Sequence, residues 1–248
     1  CIMGLIGENG AGKSTTIRLI LNALSRDGGT VAVYGKDNRA LTPLEREDIG
    51  AVLDEVGLPE YMTARQIGRM MAGIFARWQP EVYRDYLRRL ALPEDKTFRD
   101  FSRGMKMKLG LAAALSHQPK LLLLDEATSG LDPVVRDEIL TIFADFTRDE
   151  EHAVLISSHI VSDLEKICDY IAFLHKGRLL LCEEKDRLTE EYGILRGGTD
   201  GIAPAAVCGR HATPYGTEYL VRRDAVPVGM ALGQVNIEDL FVFMAKEA

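Results

Sequence analysis

Apolar residues along most of the chain fall into short continuous runs that alternate with stretches of helical period. The runs Met3–Ile6, Leu121–Leu124 and Val154–Ile156 have the length of strands, and four consecutive leucines are typical of a strand buried on both faces of a parallel sheet. A helical stretch, Thr15–Leu24, follows the first run. This alternation predicts an α/β fold.

Helical periodicity is clearest between residues 63 and 90. Thr63–Gln66 has the sequence of a capping box, which marks a helix start. Apolar residues then recur at spacings of three and four, and they outline one face of a helix that should end before Pro80: Ile67, Met70, Met71, Ile74, Phe75 and Trp78. Val82–Leu90 outlines a second helix. We therefore expect a helical insert over about residues 60–118.

The pattern changes towards the C-terminus. Ile171–Leu174 and Leu179–Cys182 flank Lys176-Gly177, which predicts a hairpin. Beyond Leu188, short strand-like runs are separated by glycines, and Asn236–Met244 closes the chain as a helix. We expect a small α/β appendage here.

The amino-acid composition limits the classes of protein to which the chain can belong. Hydrophobic residues make up 46% and charged residues 27%, as in ordinary globular proteins, and the net charge of -7 disfavours a nucleic-acid partner. The longest run without charge, Ala225–Ile237, is shorter than the roughly 20 apolar residues of a membrane-spanning helix. The four cysteines lack a CxxC spacing, so we expect reduced thiols in a cytosolic protein: Cys1, Cys168, Cys182 and Cys208.

A glycine-rich segment joins the first strand to the first helix and matches G-x-x-x-x-G-K-[ST]. Its glycines let backbone N–H groups point at phosphates, and the helix start adds its positive dipole end. Lys13 is expected to reach the β- and γ-phosphates, and Ser14 to ligate Mg²⁺. The alternative is a glycine-rich turn that matches the pattern by chance. The predicted strand before the segment and the predicted helix after it argue against that alternative. The predicted phosphate-binding residues are Gly7, Glu8, Asn9, Gly10, Ala11, Gly12, Lys13, Ser14 and Thr15.

An acidic pair, Asp125-Glu126, follows the leucine strand. Ligands of α/β folds bind at the carboxyl ends of the strands. We expect Asp125 to hold Mg²⁺ and Glu126 to accept the proton of an attacking water. On its own, an acidic pair in this position is usually exposed to solvent at the end of a strand. The presence of a phosphate-binding loop in the same chain favours the functional interpretation instead.

Three further segments carry candidate chemistry. Phe101–Met105 opens a predicted helix over Lys106–Leu115, and Ser129–Asp132 is followed by Pro133 at the start of another. His159 ends the apolar strand that begins at Val154. An isolated histidine after a strand is more often structural, so its role depends on the other motifs.

Taken in order, these segments resemble the nucleotide-binding subunit of ABC transporters. The resemblance runs from Ile2 to about Lys185 and includes the Walker A loop, the signature, Walker B, the D-loop and the switch histidine. It implies a P-loop NTPase (ABC ATPase) fold and Mg²⁺-dependent ATP hydrolysis. The catalytic residues that it implies are Lys13, Glu126 and His159.

The same resemblance implies two protein partners. Two such subunits, identical or different, pair head to tail, so that each ATP lies between the Walker A loop of one and the signature of the other. Ser102, Gly104 and Asp132 are the implied contacts of the signature and D-loop. A membrane-spanning permease is the other partner, which implies a location at the cytoplasmic face of the cell membrane.

The chain also departs from the family pattern. The signature usually reads LSGGQ, and here Phe101–Met105 keeps the serine and second glycine but introduces Arg103. The usual Q-loop glutamine is replaced by Asp54. Because a carboxylate can ligate Mg²⁺, we expect Asp54 to join Ser14 and Asp125 as a metal ligand. A loop residue turned to solvent is the alternative.

The family's adenine-stacking aromatic residue and first strands have no counterpart before Gly7, so we expect the natural N-terminus to be missing. A genuine start at Met3 is the alternative, and it would make the first strand begin abruptly. We predict an ABC ATPase domain over 1–188 and an accessory region over 189–248 with no second enzyme. Export is favoured by the short tail and by general similarity to exporter subunits, whose closing helix Ile237–Phe241 resembles. Two alternatives stay open: a nucleotide-dependent switch with little hydrolysis, and a soluble ABC ATPase without a transport role.

Overall fold

The computed structural model describes residues 1–199, 201–214, 216–227 and 229–247, with the side chain of Glu247 left aside. The chain divides into two compact units, Cys1–Ile2 with Lys13–Ser158 and Met3–Gly12 with His159–Ala248. The domain boundary after residue 188 stays a prediction. Four residues of the predicted accessory region lie outside the described residues: Asp200, Tyr215, Val228 and Ala248.

Helices and strands alternate as the sequence pattern predicts. The described helices are α1 (Lys13–Ile20), α2 (Pro43–Arg46), α3 (Ala64–Ala72), α4 (Pro80–Arg89), α5 (Arg103–Leu115), α6 (Pro133–Phe146), α7 (Val161–Ile167), α8 (Lys185–Glu191) and α9 (Ile237–Glu247). The described strands are β1 (Ile2–Ile6), β2 (Ala32–Val33), β3 (Lys36–Asp37), β4 (Ile49–Val52), β5 (Leu121–Asp125), β6 (Ala153–Ser158), β7 (Tyr170–His175), β8 (Arg178–Glu184), β9 (Tyr192–Arg196), β10 (Val207–Thr213) and β11 (Gly216–Arg222).

The first unit contains a parallel sheet with β5 between β4 and β6. Leu122, Leu123 and Leu124 are at most 1% exposed, which confirms that the leucine run is a strand buried on both faces. The register pairs Asp125 with Ser157 at the carboxyl ends of β5 and β6. That edge is where α/β folds bind ligands.

The first helix is shorter than the predicted Thr15–Leu24, because α1 ends at Ile20. The Asn38 side-chain amide donates to the carbonyl oxygens of Leu19 at 2.6 Å and Ile20 at 3.0 Å. These bonds give the Asn38 side chain a place at the helix end, where carbonyl groups lack the usual helical partners. Asn22 follows with a φ of 55°, so the chain turns away from the helix.

The helices predicted for the insert are present, although the first of them is shorter than predicted. The capping box of Thr63 and Gln66 is formed, but α3 ends at Ala72 instead of continuing to Trp78. The amide N–H groups of Ala76 and Arg77 donate to the buried carboxylate of Glu47, at 2.8 and 2.9 Å. A carboxylate accepts N–H bonds strongly, so this distant side chain replaces the helical carbonyl partners of both residues.

The second unit contains two sets of paired strands. In the first, β1 pairs parallel with β7, and β7 pairs antiparallel with β8 around the predicted Lys176-Gly177 turn. In the second, β11 lies between β9 and β10, and both pairs are antiparallel. Helix α9 packs against β10, where a Cβ on Gly209 would lie 2.9 Å from the carbonyl oxygen of Phe243. The α/β character expected near the C-terminus is thus observed.

Over the described part of the chain, every helix is too short or too polar to cross a bilayer. All four cysteines are free thiols in the structure.

Candidate nucleotide-binding site

The loop between β1 and α1 adopts a conformation that depends on glycine. Gly10 and Gly12 have φ values of 84° and 107°, a region open to glycine without steric cost. A Cβ on Gly7 would lie 2.4 Å from the carbonyl oxygen of Leu174 in β7. The Gly177 N–H donates to the Ala11 carbonyl oxygen at 3.0 Å, so the β7–β8 hairpin supports this loop within the second unit.

Glu8 in this loop lies beside a histidine of the same unit. Its Oε1 lies 2.9 Å from Nδ1 of His175, which ends β7 and is 8% exposed. The sequence pattern gave no indication of this contact, since the two residues are far apart in the chain. The side chains of Asn9 and Thr15 are exposed.

The start of α1 and the end of β5 meet in the first unit. Lys13 Nζ lies 3.3 Å from Glu126 Oε1, and these side chains are 6% and 14% exposed. The Ser14 hydroxyl donates to Asp125 Oδ1 at 3.0 Å. Four residues predicted for phosphate binding, metal binding and water activation therefore lie together, although more than a hundred residues separate the two pairs.

Asp125 provides a site that suits a cation. Its Oδ1 also accepts a bond from the Ser157 hydroxyl at 2.7 Å. Its Oδ2 is buried and has no hydrogen-bond partner among the described residues. An unpaired buried carboxylate oxygen is costly, and a hard cation such as Mg²⁺ would compensate it with Ser14 as a further oxygen ligand. The sequence analysis missed Ser157, which the strand register places beside Asp125.

Glu126 has a left-handed backbone, with a φ of 52°. Its N–H points at Ser157, 3.1 Å from the carbonyl oxygen and 3.2 Å from the hydroxyl. This conformation costs a non-glycine residue about 1–2 kcal/mol. The bond to Ser157 fixes the turn after β5, and the turn directs the Glu126 carboxylate to Lys13. Strained backbone of this kind is common at functional sites.

The signature and D-loop residues begin helices. Ser102 caps α5 by accepting a bond from an amide of its first turn at 3.3 Å. Asp132 caps α6 through two such amides, both at 3.1 Å. A Cβ on Gly104 would lie 3.4 Å from Val135 Cγ1, which is ordinary contact. These caps occupy one oxygen of Ser102 and one of Asp132 in the isolated chain, and the predicted cross-subunit contacts stay predictions.

Asp54 lies against Arg103. The Arg103 Nη2 donates to Asp54 Oδ1 at 3.0 Å. The Asp54 side chain is about half exposed to solvent. Its metal-binding role stays a prediction. His159 directly follows β6 and is exposed, and its catalytic role also stays a prediction.

Comparison with known proteins agrees with this geometry. The family model described as "ABC transporter" matches residues 1–129. The bacitracin transport ATP-binding protein BcrA of Enterococcus faecalis is 32% identical over 96% of this chain and 79% of its own length. The ABC transporter ATP-binding protein YtrB of Bacillus subtilis is 31% identical over 77% of this chain. BcrA of Bacillus licheniformis is 34% identical over 72% of this chain. The chain spans 65% of YtrB and 59% of the latter BcrA.

Solved structures share the fold. The ATP-binding subunit of an ABC transporter has a TM-score of 0.66 and 28% identity, over 76% of this chain and 80% of that one. A dimeric ATP-binding cassette bound to ADP and Pi also has a TM-score of 0.66, over 74% of this chain and 84% of its own, but its 19% identity supports the fold alone. The α/β architecture is thus that of ABC ATPases. Since the family model matches more than half of the residues, and a relative of comparable length aligns along nearly all of them, the chain belongs to the ABC transporter family.

Proposed function

We propose that this chain binds and hydrolyses ATP and thereby powers substrate movement, in the direction of export, through a separate membrane subunit. One observation carries the proposal: Lys13 and Ser14 contact Glu126 and Asp125 at the carboxyl end of β5. Phosphoryl transfer from ATP to water requires a cation that binds phosphate, oxygen ligands that hold a metal ion and a general base that activates water.

Each residue has a distinct role in this proposal. Lys13 and the amides of Gly7–Gly12 stabilise charge on the phosphates, and Glu126 accepts a proton from water. Ser14 and Asp125 would hold Mg²⁺, which supplies positive charge against the phosphate oxygens. His159 orients the water. Asp54 remains the predicted third metal ligand.

The proposed partners follow from the family resemblance, which implies that two subunits share each nucleotide site. A second ATPase subunit, identical or different, brings Ser102, Gly104 and Asp132 to the nucleotide held by the first. A permease would place the pair at the cytoplasmic face of the membrane. The names of relatives that transport bacitracin or lantibiotics support a transport role.

The proposal is tested by phosphate release and ATP binding in full-length protein. Lys13→Ala should abolish both, because its ammonium is the main cation expected to face the phosphates. Lys36→Ala is the matched control, since Lys36 also pairs with a glutamate, Glu45, but lies on β3 outside the loop. Unchanged ATP binding in Lys13→Ala would overturn the proposal.

A further inference from the structure

The two residues that depart most from the family pattern contact each other. Asp54 stands where a glutamine is usual, and Arg103 stands where a glycine is usual. Their side chains form an ion pair, with 3.0 Å between Arg103 Nη2 and Asp54 Oδ1. Glutamine and glycine could not form this pair, so the two departures provide one contact that the usual residues lack.

The Arg103 side chain also packs against the turn before α6. A Cβ on Gly130 would lie 3.1 Å from Arg103 Nη1 and 3.2 Å from its Cζ, so the guanidinium rests on the backbone of this glycine. Gly130 has a φ of 67°, which favours glycine independently of this contact. One side chain therefore joins three segments: the segment after β4, the start of α5 and the turn before α6.

The pair is accessible from solvent. The side chains of Arg103 and Asp54 are 55% and 49% exposed. Both residues line an open cleft of about 650 Å³, whose other charged residues are Glu55, Glu60 and Lys106. Half-exposed ion pairs hold their partners weakly, because water screens the charges. An anion with more charge and two suitably spaced oxygens can displace the carboxylate from the guanidinium, and phosphate has both properties.

We propose that Asp54 restrains Arg103 in the nucleotide-free chain, and that a phosphate of ATP bound to the partner subunit takes Arg103 from Asp54 when two chains close. This inference rests on the proposed function, which brings the start of α5 to the partner's nucleotide. The pair then has a regulatory role: Asp54 disfavours closure of the two chains until a triphosphate provides an anion that binds the guanidinium more strongly. Release of Arg103 also frees the segment after β4 and the turn at Gly130.

A double-mutant cycle tests whether Asp54 restrains Arg103 in this way, a restraint that we call the latch. The parent is full-length Glu126→Gln, in which slow hydrolysis lets ATP-driven dimerisation be titrated by light scattering. Asp54→Asn keeps the side-chain shape and should tighten the dimer about two- to fivefold, the strength of an exposed pair. Arg103→Gln should weaken it about tenfold, because a charged hydrogen bond to phosphate is lost. In the Arg103→Gln background, the effect of Asp54→Asn should be clearly smaller, because only its separate effect on Mg²⁺-ATP binding remains.

The matched control is Asp145→Asn, which breaks an ion pair with Arg89 that lies 2.7 Å apart in the same unit. It should leave dimerisation unchanged. If Asp54→Asn tightens the dimer equally with and without Arg103, the carboxylate acts only by general repulsion of ATP, and the latch is overturned while the proposed function stands. If the parent forms no ATP-driven dimer, the proposed function fails, and the latch fails with it.

Discussion

Lys13 Nζ lies 3.3 Å from Glu126 Oε1, so the cation expected to bind phosphate is neutralised by the carboxylate expected to activate water. Both side chains are largely buried, which makes the attraction stronger than that of a surface pair. A bound triphosphate would compete with Glu126 for Lys13. Nucleotide binding would then release the carboxylate at the moment when it is needed as a base.

This competition predicts the effect of neutralising Glu126 on affinity. Glu126→Gln should bind ATP about three- to tenfold more tightly, because Lys13 loses its carboxylate partner and the phosphates lose a repulsive neighbour. Equilibrium titration with a fluorescent ATP analogue measures the change. Glu138→Gln, which breaks the Lys108–Glu138 pair in the same unit, is the control and should leave affinity unchanged. Weaker binding by Glu126→Gln would contradict the competition.

Asp125 should control the dependence of ATP binding on Mg²⁺. Asp125→Asn removes the charge beside the unpartnered Oδ2, and it should weaken the Mg²⁺ effect about ten- to a hundredfold. ATP affinity titrated against free Mg²⁺ measures this. Asp163→Asn offers a comparison, since Asp163 is another buried aspartate but lies outside the predicted site, on α7. Equal Mg²⁺ curves for Asp125→Asn and the parent would remove Asp125 from the metal ligands.

The predicted metal role of Asp54 has its own test. Asp54→Gln should soften the Mg²⁺ requirement for ATP binding while hydrolysis continues, because an unscreened carboxylate no longer opposes the phosphates. Asp54→Ala should lose both metal dependence and turnover rate. The same Mg²⁺ titration applies to both variants. Curves identical to those of the parent would show that Asp54 is not a ligand.

Glu47 should stabilise the junction between the sheet and the helical insert. Burial by itself raises the pKa of Glu47, but the amide groups of Ala76 and Arg77 and the Arg77 guanidinium hold that pKa below its ordinary value. Because the folded pKa is lowered, this stabilisation is complete above the unfolded pKa, about 4.3, and is lost as the pH falls through the folded pKa.

Glu47→Gln should therefore reduce the free energy of unfolding by about 2–3 kcal/mol at pH 7 and by less at pH 3. Urea denaturation at both pH values measures the difference. Glu151→Gln is the control, because Glu151 forms an exposed pair with Lys120. A loss of equal size at both pH values would show that the charge of Glu47 is not the cause.

The sequence predicted the residues of the candidate site better than it predicted their contacts. Lys13, Ser14, Asp125 and Glu126 follow from a motif and a strand end, and these local patterns place them at one sheet edge. The strain at Glu126 was not predictable, because it depends on the distant Ser157.

The ends of α1 and α3 were predicted wrongly for the same reason, because each depends on a side chain that is distant in the sequence. Helix α1 stops where Asn38 binds its last carbonyl groups, and the segment after α3 leaves the helix where Glu47 binds its amides. Periodicity reports which residues are apolar on one face, but it contains nothing about such polar side chains from elsewhere in the chain. The Asp54–Arg103 pair joins residues 49 positions apart and is likewise invisible to local patterns.

Single-turnover hydrolysis of ATP by full-length protein tests the central claim most directly. With enzyme in excess over Mg²⁺-ATP, the parent should convert bound ATP to ADP and phosphate. Glu126→Gln should retain ATP binding but hydrolyse it about a hundredfold more slowly or worse, because the general base is lost. Near-normal hydrolysis by Glu126→Gln would contradict the assignment of Glu126, and bound ATP that persists in the parent would show a nucleotide-dependent switch instead of an ATPase.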